Sequence, residues 1–183
     1  MHFAFFTLYF ALYFGENMTE IQYVTPLVAD TPVFVVRAAE TVDVDGMAAL
    51  VAENVKAGHL LPRSADEIRA SLHNWVVALH DDTVIGIGSL LLMNPQLVEV
   101  RSLAVATEYR SYGIGALIVN ELVSQAKQRD IPTVFALTRA VNFFLRLGFT
   151  ITDKNNFPEK VWRDCVKCPL VTCCDETAVV IQP

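Results

Sequence analysis

The sequence predicts one α/β (α+β) domain with a mixed central sheet of six to seven strands, flanked by about four helices. Apolar residues make up 53% of the 183 residues and charged residues 19%, a balance that supports a sizeable core and argues against disorder. From residue 33 onward, short β-rich runs alternate with helix-like stretches, without an internal repeat or a low-complexity linker. This alternation predicts helices on the faces of the sheet.

Four stretches carry helical signals. In residues 43–58 the apolar positions recur at helical spacing, and Gly58 ends the run. Ser64, followed three residues later by Glu67, forms a capping box at the start of a second helix. The predicted helices cover residues 43–58, 64–72, 114–130 and 140–148.

Seven β-rich runs separate these helices. Two adjacent aspartates lie between the second run and the third, which predicts a hairpin at that point. The predicted strands cover residues 33–39, 74–80, 83–93, 97–106, 133–138, 149–152 and 176–183.

The first residues differ from the rest of the chain. Residues 3–14 are apolar apart from one threonine, a run too short for a comfortable transmembrane helix. No Lys or Arg precedes the run and no small-residue cleavage site follows it, as a signal peptide would require. We interpret residues 1–17 as an upstream extension, with Met18 as a plausible start; a membrane-contacting segment is the less favoured alternative. Residues 1–32 then lie outside the fold, and the domain covers residues 33–183.

The overall charge restricts the classes of partner. The net charge is −6 and the isoelectric point is near 5.1, which argues against nucleic acid because nucleic-acid binding needs a basic surface. An anionic ligand must therefore be bound by a few individually placed arginines. The expected location is the cytoplasm.

A glycine-containing turn connects a strand to the helix at 114–130. Gly113 and Gly115 remove side chains that would keep a ligand from the backbone, and Arg110 adds a positive charge. Unpaired amides and the positive end of the helix dipole make such a turn an anion site. It lacks the Gly-Lys-Ser/Thr of a P-loop, and Ile118 stands where a dinucleotide fingerprint has its third glycine. An ordinary strand-to-helix turn remains the alternative.

The strand before this turn carries two charges. Alternation predicts that Glu99, Arg101, Leu103 and Val105 share one face, and that Val98, Val100, Ser102 and Ala104 share the other. The pair Glu99 and Arg101 on an otherwise apolar strand favours a cleft that holds a base and an anion anchor. A cross-strand ion pair on an exposed face is the alternative.

These residues together resemble a known family. The strand LVEVRSLAVA, the turn RSYGIGALI, the strand TVFALT and the helix VNFFLRLGF follow the order seen in the GCN5-related N-acetyltransferase (GNAT) superfamily. Its pyrophosphate signature, Arg/Gln-x-x-Gly-x-Gly/Ala, is matched by Arg110, Gly113 and Gly115. The resemblance covers roughly residues 33–182. The segments HLLPRS, EVRSLAV and FPEKVWRDCVKCPLVTCCDETAVV are further similar to the short, stand-alone type of N-acetylglutamate synthase.

The resemblance implies a binding mode for the co-substrate acetyl-CoA. It would lie where the strand at 97–106 splays from the strand at 133–138. The residues implied in contact with it are Leu103, Ala104, Val105, Arg110, Ser111, Tyr112, Gly113, Ile114, Gly115 and Ala116. Glu99 occupies the position of a general base, acting directly or through water. Many members carry a tyrosine as general acid where this chain has Phe144, so that acid is absent here.

The implied acceptor is L-glutamate, acetylated on its α-amino group as in the first step of arginine biosynthesis. Its carboxylates suit guanidinium forks, and the candidates are Arg63, Arg101 and Arg139, with Lys160 a weaker one. The amino-acid-kinase-like domain of longer synthases has no counterpart in these residues, so regulation by arginine is not implied. Dimers are common in the superfamily, which allows a homodimer here.

The cysteines invite a separate interpretation. Cys165, Cys168, Cys173 and Cys174 lie within ten residues and could suggest zinc. Adjacent Cys173 and Cys174 cannot easily face one ion, however, so we expect no metal and interpret the four as packed thiols.

Three alternatives to the glutamate reaction stay open at this stage. They are an acetyltransferase for another amino acid or small amine, a non-catalytic acyl-CoA sensor, and a metal- or redox-sensing module built on the cysteines.

Overall fold

The structure is a computed structural model that describes residues 21–23, 32–163, 165–167 and 171–183. Within these ranges the strands are β1 (Ile21–Tyr23), β2 (Phe34–Ala38), β3 (Trp75–His80), β4 (Thr83–Asn94), β5 (Leu97–Val105), β6 (Thr133–Thr138), β7 (Thr150–Thr152) and β8 (Thr177–Ile181). The α-helices are α1 (Val44–Lys56), α2 (Ala65–Ala70), α3 (Ile114–Gln128), α4 (Val141–Arg146) and α5 (Pro158–Arg163).

The predicted mixed α/β architecture is confirmed, with one strand and one helix more than expected. The extra strand is β1, which falls in the predicted lead-in and pairs antiparallel with β2. The extra helix is α5, which covers a segment for which the sequence predicted neither a helix nor a strand. Residues 1–20 and 24–31, which include the predicted extension and most of the lead-in, lie outside the described residues, as does Cys168.

All of the described strands join one sheet in the order β1-β2-β3-β4-β5-β6-β8-β7. Among the described strands, β5 and β6 form the single parallel pair, and their ladder stops at Glu99 opposite Phe135. Beyond that point β5 continues to Val105 and β6 to Thr138 without pairing to each other. The two strands therefore splay apart and leave a gap in the middle of the sheet.

Helices cover both faces of the sheet. On one face, α3 and α4 pack on a cluster that includes Val98, Leu122 and Phe144. The approach of α3 is close because Gly88 lacks a side chain, since a Cβ there would lie 2.7 Å from Cγ2 of Ile118. On the other face, α1 and α2 bury a second cluster against β3 and β4. The cores on both faces hold the sheet rigidly enough to position side chains at its central gap.

A bulge in β5 overturns the predicted side-chain alternation. Gly88 faces two residues, Ser102 and Leu103, and Ser102 has a φ of 54°. The extra residue shifts every later side chain to the opposite face. Leu103 and Val105 thus pack on the α3 side, whereas Glu99 and Arg101 face the side of α1 and α5. The prediction that these four side chains share a face is wrong.

Two local predictions are confirmed. Asp81 and Asp82 form the turn between β3 and β4, with φ values of 46° and 61°, as two-residue hairpins require. Ser64 accepts a hydrogen bond from the Glu67 amide, and the Glu67 carboxylate accepts one from the Ser64 amide. The hydrogen bond from the Ser64 amide, followed by the interaction with the Ser64 side chain, holds the pKa of the Glu67 carboxyl below its usual value.

Candidate active site

A cavity of about 450 Å³ opens at the N-terminus of α3. It lies between the first turn of α3, the turn before it and one side of α4. Its lining residues are Val105, Tyr109, Arg110, Ser111, Gly113, Ile114, Gly115, Ala116, Phe143, Arg146 and Leu147. Most of the residues that the sequence suggested for the co-substrate therefore meet in one place. Leu103, Ala104 and Tyr112 do not line the cavity; Ala104 is buried on the α1 side and Tyr112 is exposed.

The backbone of the turn exposes a row of hydrogen-bond donors. Gly113 is the N-cap of α3 with a φ of 81°, and Ser111 has a φ of 72°. Within the described part of the chain, the amides from Ser111 to Gly115 donate to no backbone acceptor, whereas the Ala116 amide donates to the Gly113 carbonyl at 2.9 Å. Unsatisfied amides beside the positive end of a helix dipole suit a phosphate group.

Two guanidinium groups lie near these amides. Arg110 Nε donates to the Val105 carbonyl at 3.2 Å, which fixes the arginine against the end of β5. Arg146 lines the cavity from α4, one helical turn after Phe143. Arg146 was missed because its sequence neighbourhood predicts only a short amphipathic helix. The spacing of Phe143, Arg146 and Leu147 on one helix face is the signal that could have found it.

Glu99 is buried on the opposite face of the sheet, where β5 and β6 part. Its side chain is 4% exposed, and the Lys160 ammonium contacts Oε1 at 2.8 Å and Oε2 at 3.1 Å. Lys160 comes from α5 and is 14% exposed. The structure thus pairs Glu99 with Lys160, a contact that the sequence analysis did not foresee because 61 residues separate the two.

Contacts of two described residues help to hold helix α5 over Glu99. Phe157, just before the helix, stacks on Phe135 of β6 with ring centroids 4.1 Å apart and an interplanar angle of 11°. Glu159 accepts a hydrogen bond from Asn94 Nδ2 at 2.9 Å. Because these contacts fix α5 against the sheet, the Lys160 ammonium reaches the buried carboxylate.

Arg101 lies beside Glu99 on β5, and Arg63 contacts the neighbouring Ser102. Arg101 lies two residues after Glu99 on the same strand and before the bulge, so both side chains share a face. Arg63, in the loop between α1 and α2, donates from Nε to Ser102 Oγ at 3.3 Å. Both arginines are half-buried. The side of the gap that faces α1 and α5 is therefore rich in cations.

Arg139 takes a different position. Its Nε donates to Asp175 Oδ1 at 2.7 Å, and its Nη1 donates to the Gly58 carbonyl at 3.4 Å. The hydrogen bond holds the pKa of the Asp175 carboxyl below its usual value and raises that of the arginine. Arg139 thus ties the end of β6 to the loop after α1, and the sequence did not indicate this pairing.

Glu176, just before β8, is a half-buried carboxyl that the sequence analysis missed. Burial raises its pKa from the ordinary value of 4.5, although Arg139, Lys160 and Lys154 pull in the other direction. A carboxyl whose pKa is higher in the folded chain than in the unfolded one binds its proton more tightly when folded. Its ionisation therefore lowers the free energy of unfolding as the pH rises from about 4.5 through the folded-state pKa.

Replacing Glu176 with glutamine is expected to stabilise the protein at pH 7 and to have little effect below pH 4. The gain in the free energy of unfolding should stay below about 1 kcal/mol, because the partly exposed carboxyl is screened by solvent. Urea unfolding at the two pH values measures it. The exposed Glu53→Gln on α1 is measured alongside as the control for the substitution itself; equal effects of Glu176→Gln at both pH values would contradict the expectation.

Phe144 adds no polar group to the site, and two of the cysteines lie exposed at the surface. Phe144 is 4% exposed and packs edge-on against Phe149 in the core, so that position supplies no acid. Cys173 and Cys174 are exposed, and Lys154 Nζ lies 3.3 Å from Cys174 Sγ. Across the described residues, no group of three or more His, Cys, Asp or Glu side chains could hold a metal ion. In the same part of the chain, no helix has the length and apolar character to cross a membrane.

Residues 32–149 match the family model described as Acetyltransferase (GNAT) family. The chain belongs to the GNAT acetyltransferase family. It is an acetyl-CoA-dependent N-acetyltransferase, and the cavity at α3 has the free amides and arginines that a pyrophosphate-containing co-substrate needs. The resemblance to this family in the sequence is thereby confirmed.

Relatives in this family agree on acetyl transfer but carry different names. An uncharacterized N-acetyltransferase of Chlorobaculum tepidum is 35% identical over 145 residues, which are 79% of this chain and 94% of that protein. The amino-acid acetyltransferase of Mycobacterium tuberculosis is 36% identical over 120 residues, which are 63% of this chain and 68% of that protein. Against the Shewanella oneidensis amino-acid acetyltransferase, at 29% identity, the match covers 68% of this chain but 28% of the relative.

Solved structures show the same architecture. Rv2747 from Mycobacterium tuberculosis, in complex with CoA and NLQ, is 26% identical with a TM-score of 0.68, covering 81% of this chain and 99% of that one. The N-acetylglutamate synthase of Neisseria gonorrhoeae, complexed with coenzyme A and N-acetyl-glutamate, has a TM-score of 0.72 at 22% identity. That match covers 84% of this chain and 36% of the synthase, and at this identity it supports the fold.

Proposed function

We propose that this GNAT enzyme transfers an acetyl group from acetyl-CoA to the α-amino group of L-glutamate. The observation that carries the proposal is the set of cations around one buried carboxylate at the gap of the sheet. Glu99 lies where the β5–β6 ladder ends, with Lys160 in contact, Arg101 on the same strand face and Arg63 at the neighbouring bulge. A dicarboxylic amino acid has the charges that complement this set.

The two faces of the sheet have separate tasks in this proposal. The amides from Ser111 to Gly115, with Arg110 and Arg146, hold the pyrophosphate on the α3 side. Glu99 and the cations receive the amino acid on the α1 and α5 side. The gap between β5 and β6 connects the two faces, because neither strand fills it beyond Glu99 and Phe135. The thioester reaches the amine through this gap.

The reaction itself needs a base and a leaving group. The amine nitrogen forms a bond to the thioester carbonyl carbon, the carbon–sulfur bond breaks, and the ammonium proton passes to Glu99 directly or through a water molecule. The departing thiolate is stable enough to leave without being protonated by a side chain, since a free thiol has a pKa of about 8.5. With Phe144 in place of a tyrosine, water protonates the thiolate.

The two carboxylates of glutamate bind different cations of the site. Arg101 is the proposed anchor for the α-carboxylate, because a guanidinium fork binds a carboxylate through two parallel hydrogen bonds. Arg63 and Lys160 complete the wall for the side-chain carboxylate. Arg139 contributes less, because it is already paired with Asp175 at 2.7 Å. The names of relatives agree with an amino-acid acceptor. A cytoplasmic location, a place in arginine biosynthesis and a homodimer stay predictions.

The test is CoA release from acetyl-CoA with each of the twenty amino acids, using the wild type and Arg101→Ala. Wild type is expected to turn over glutamate, and Arg101→Ala should lower kcat/KM for glutamate about 10- to 100-fold, the usual effect of losing a charged hydrogen bond. Arg69→Ala, an exposed arginine on α2, is the matched control and should retain activity.

The outcomes separate the alternatives. Turnover of a different amino acid or of small amines would replace glutamate as the acceptor. Tight CoA binding without turnover of any amino acid or amine would contradict the proposed acetyl transfer and favour an acyl-CoA sensor. Bound zinc in the purified protein would support the metal-sensing module on the cysteines.

A further inference from the structure

The ion pair between Lys160 and Glu99 conflicts with a freely acting base. The ammonium contacts both carboxylate oxygens, at 2.8 Å and 3.1 Å, and both side chains are almost entirely buried. A cation at this distance favours the ionised form of the carboxylate and makes it a poorer proton acceptor. The cross-strand neighbours of Glu99 are Leu91 and Phe135, which carry no charge to offset the effect. Something must loosen this pair before Glu99 can take a proton efficiently.

Residues just before Lys160 in the chain contact the sheet and hold α5 in place. The contacts at Phe157 and Glu159 hold the helix, whereas Lys160 reaches Glu99 through its own four-carbon stem. An ammonium is a compact charge with three rotatable donors, so it can exchange one carboxylate for another at small cost in geometry. A guanidinium fork in the same place would be bound more rigidly.

A dicarboxylic amino acid brings the charges that complete such an exchange. Before binding, Lys160 faces Glu99. After binding, the side-chain carboxylate faces Lys160, the α-carboxylate faces Arg101 and the α-ammonium faces Glu99. Each of the three anions then meets a cation, which is the condition under which buried ions are tolerated.

We propose that Lys160 is a positioning residue whose ammonium binds Glu99 until the side-chain carboxylate of the acceptor replaces Glu99 as its partner. A dicarboxylic acceptor thereby frees Glu99 to accept the proton of its own α-ammonium group. This inference rests on the proposed function and adds a mechanism of selectivity to it. An amino acid without a side-chain carboxylate enters but leaves Glu99 held by Lys160. Selectivity therefore resides in kcat as well as in KM.

Wild-type kinetics give the first test, because they need no variant. With glutamate and glutamine as acceptors, kcat is expected to differ by at least about tenfold, beyond any difference in KM. Equal kcat values with a difference confined to KM would overturn the exchange. Absence of turnover with every amino acid would overturn the proposed function as well, so the two failures are distinguishable.

The second test compares Lys160→Met with Lys160→Arg. In Lys160→Met the ratio of kcat for glutamate to kcat for glutamine should fall towards one, and the acid limb of the pH profile of kcat/KM should move to higher pH. Among the described residues, the charged groups on this side of the gap include Arg101 on the strand of Glu99, Arg63 at the bulge and Glu176 before β8, which interacts electrostatically with Lys160. Lys160→Arg keeps the charge and should keep the acid limb in place.

Two control measurements separate positioning from a structural role. CoA affinity and thermal stability are measured on each variant, and CoA affinity should stay at the wild-type value because the cavity at α3 lies on the other face. If Lys160→Met does not fold, the wild-type comparison and Lys160→Arg still decide. A folded Lys160→Met with an unshifted acid limb and the wild-type glutamate preference in kcat would overturn the proposal while leaving glutamate acetylation intact.

Discussion

Replacing Glu99 with glutamine is expected to lower kcat about 10²- to 10⁴-fold, the usual contribution of a general base, while acetyl-CoA affinity stays unchanged. The expectation follows from the position of Glu99 at the end of the β5–β6 ladder, on the face away from the α3 cavity. CoA release at saturating glutamate measures kcat, and calorimetric titration measures CoA affinity. A residual kcat above about a tenth of the wild-type value would show that another group, or water alone, accepts the proton.

The same substitution has a structural consequence that must be controlled. It removes the carboxylate that the Lys160 ammonium, 14% exposed, contacts, and breaking a buried ion pair from one side costs about 3–5 kcal/mol. The double variant Glu99→Gln, Lys160→Met removes both charges and should recover most of that stability. Activity should remain low in the double variant, which separates loss of the base from loss of folding.

Replacing Gly115 with valine is expected to raise the Kd for CoA at least about 100-fold, which corresponds to about 2.8 kcal/mol. A Cβ at position 115 would lie 3.4 Å from Cζ of Phe143, so the two methyl groups of valine must enter the cavity of about 450 Å³ between α3 and α4. They would occupy space beside the amides of the turn. Calorimetric titration with CoA measures the change.

The matched control is Asn120→Val on the exposed side of the same helix. It introduces the same β-branched side chain into the same helix, away from the cavity. Its CoA affinity should equal that of the wild type. An unchanged Kd in Gly115→Val would mean that Phe143 moves aside, and would place the pyrophosphate elsewhere on the turn.

Local features of this chain could be predicted because their causes are local. The Ser64 and Glu67 cap, the hairpin at Asp81 and Asp82, and the glycine turn before α3 each depend on residues a few positions apart. Residue type and spacing decide such contacts, so they can be predicted from the sequence. The family resemblance extended this to the position of Glu99 on its strand.

The bulge in β5 was not predictable in the same way. A positive φ at Ser102 is unusual for a residue with a side chain, and no glycine or proline marks the position. Its cause lies across the sheet, where Gly88 faces two residues of β5 and α3 packs closely on the same glycine. Simple alternation therefore assigned Leu103 and Val105 to the wrong face.

The sequence by itself determined the fold class, because periodicity, capping and turn signals act over short stretches. Its resemblance to a known family indicated the family, the turn proposed for the co-substrate and the candidate base. Tertiary structure alone decided that Lys160 contacts Glu99, that Arg139 forms an ion pair with Asp175, and that Arg146 of α4 lines the cavity. The physical reason is that these contacts join residues that are far apart along the chain. A salt bridge depends on distance in space, and residues 61 positions apart along the chain become neighbours only when the core of the sheet and the stacking of Phe157 on Phe135 bring α5 over β5.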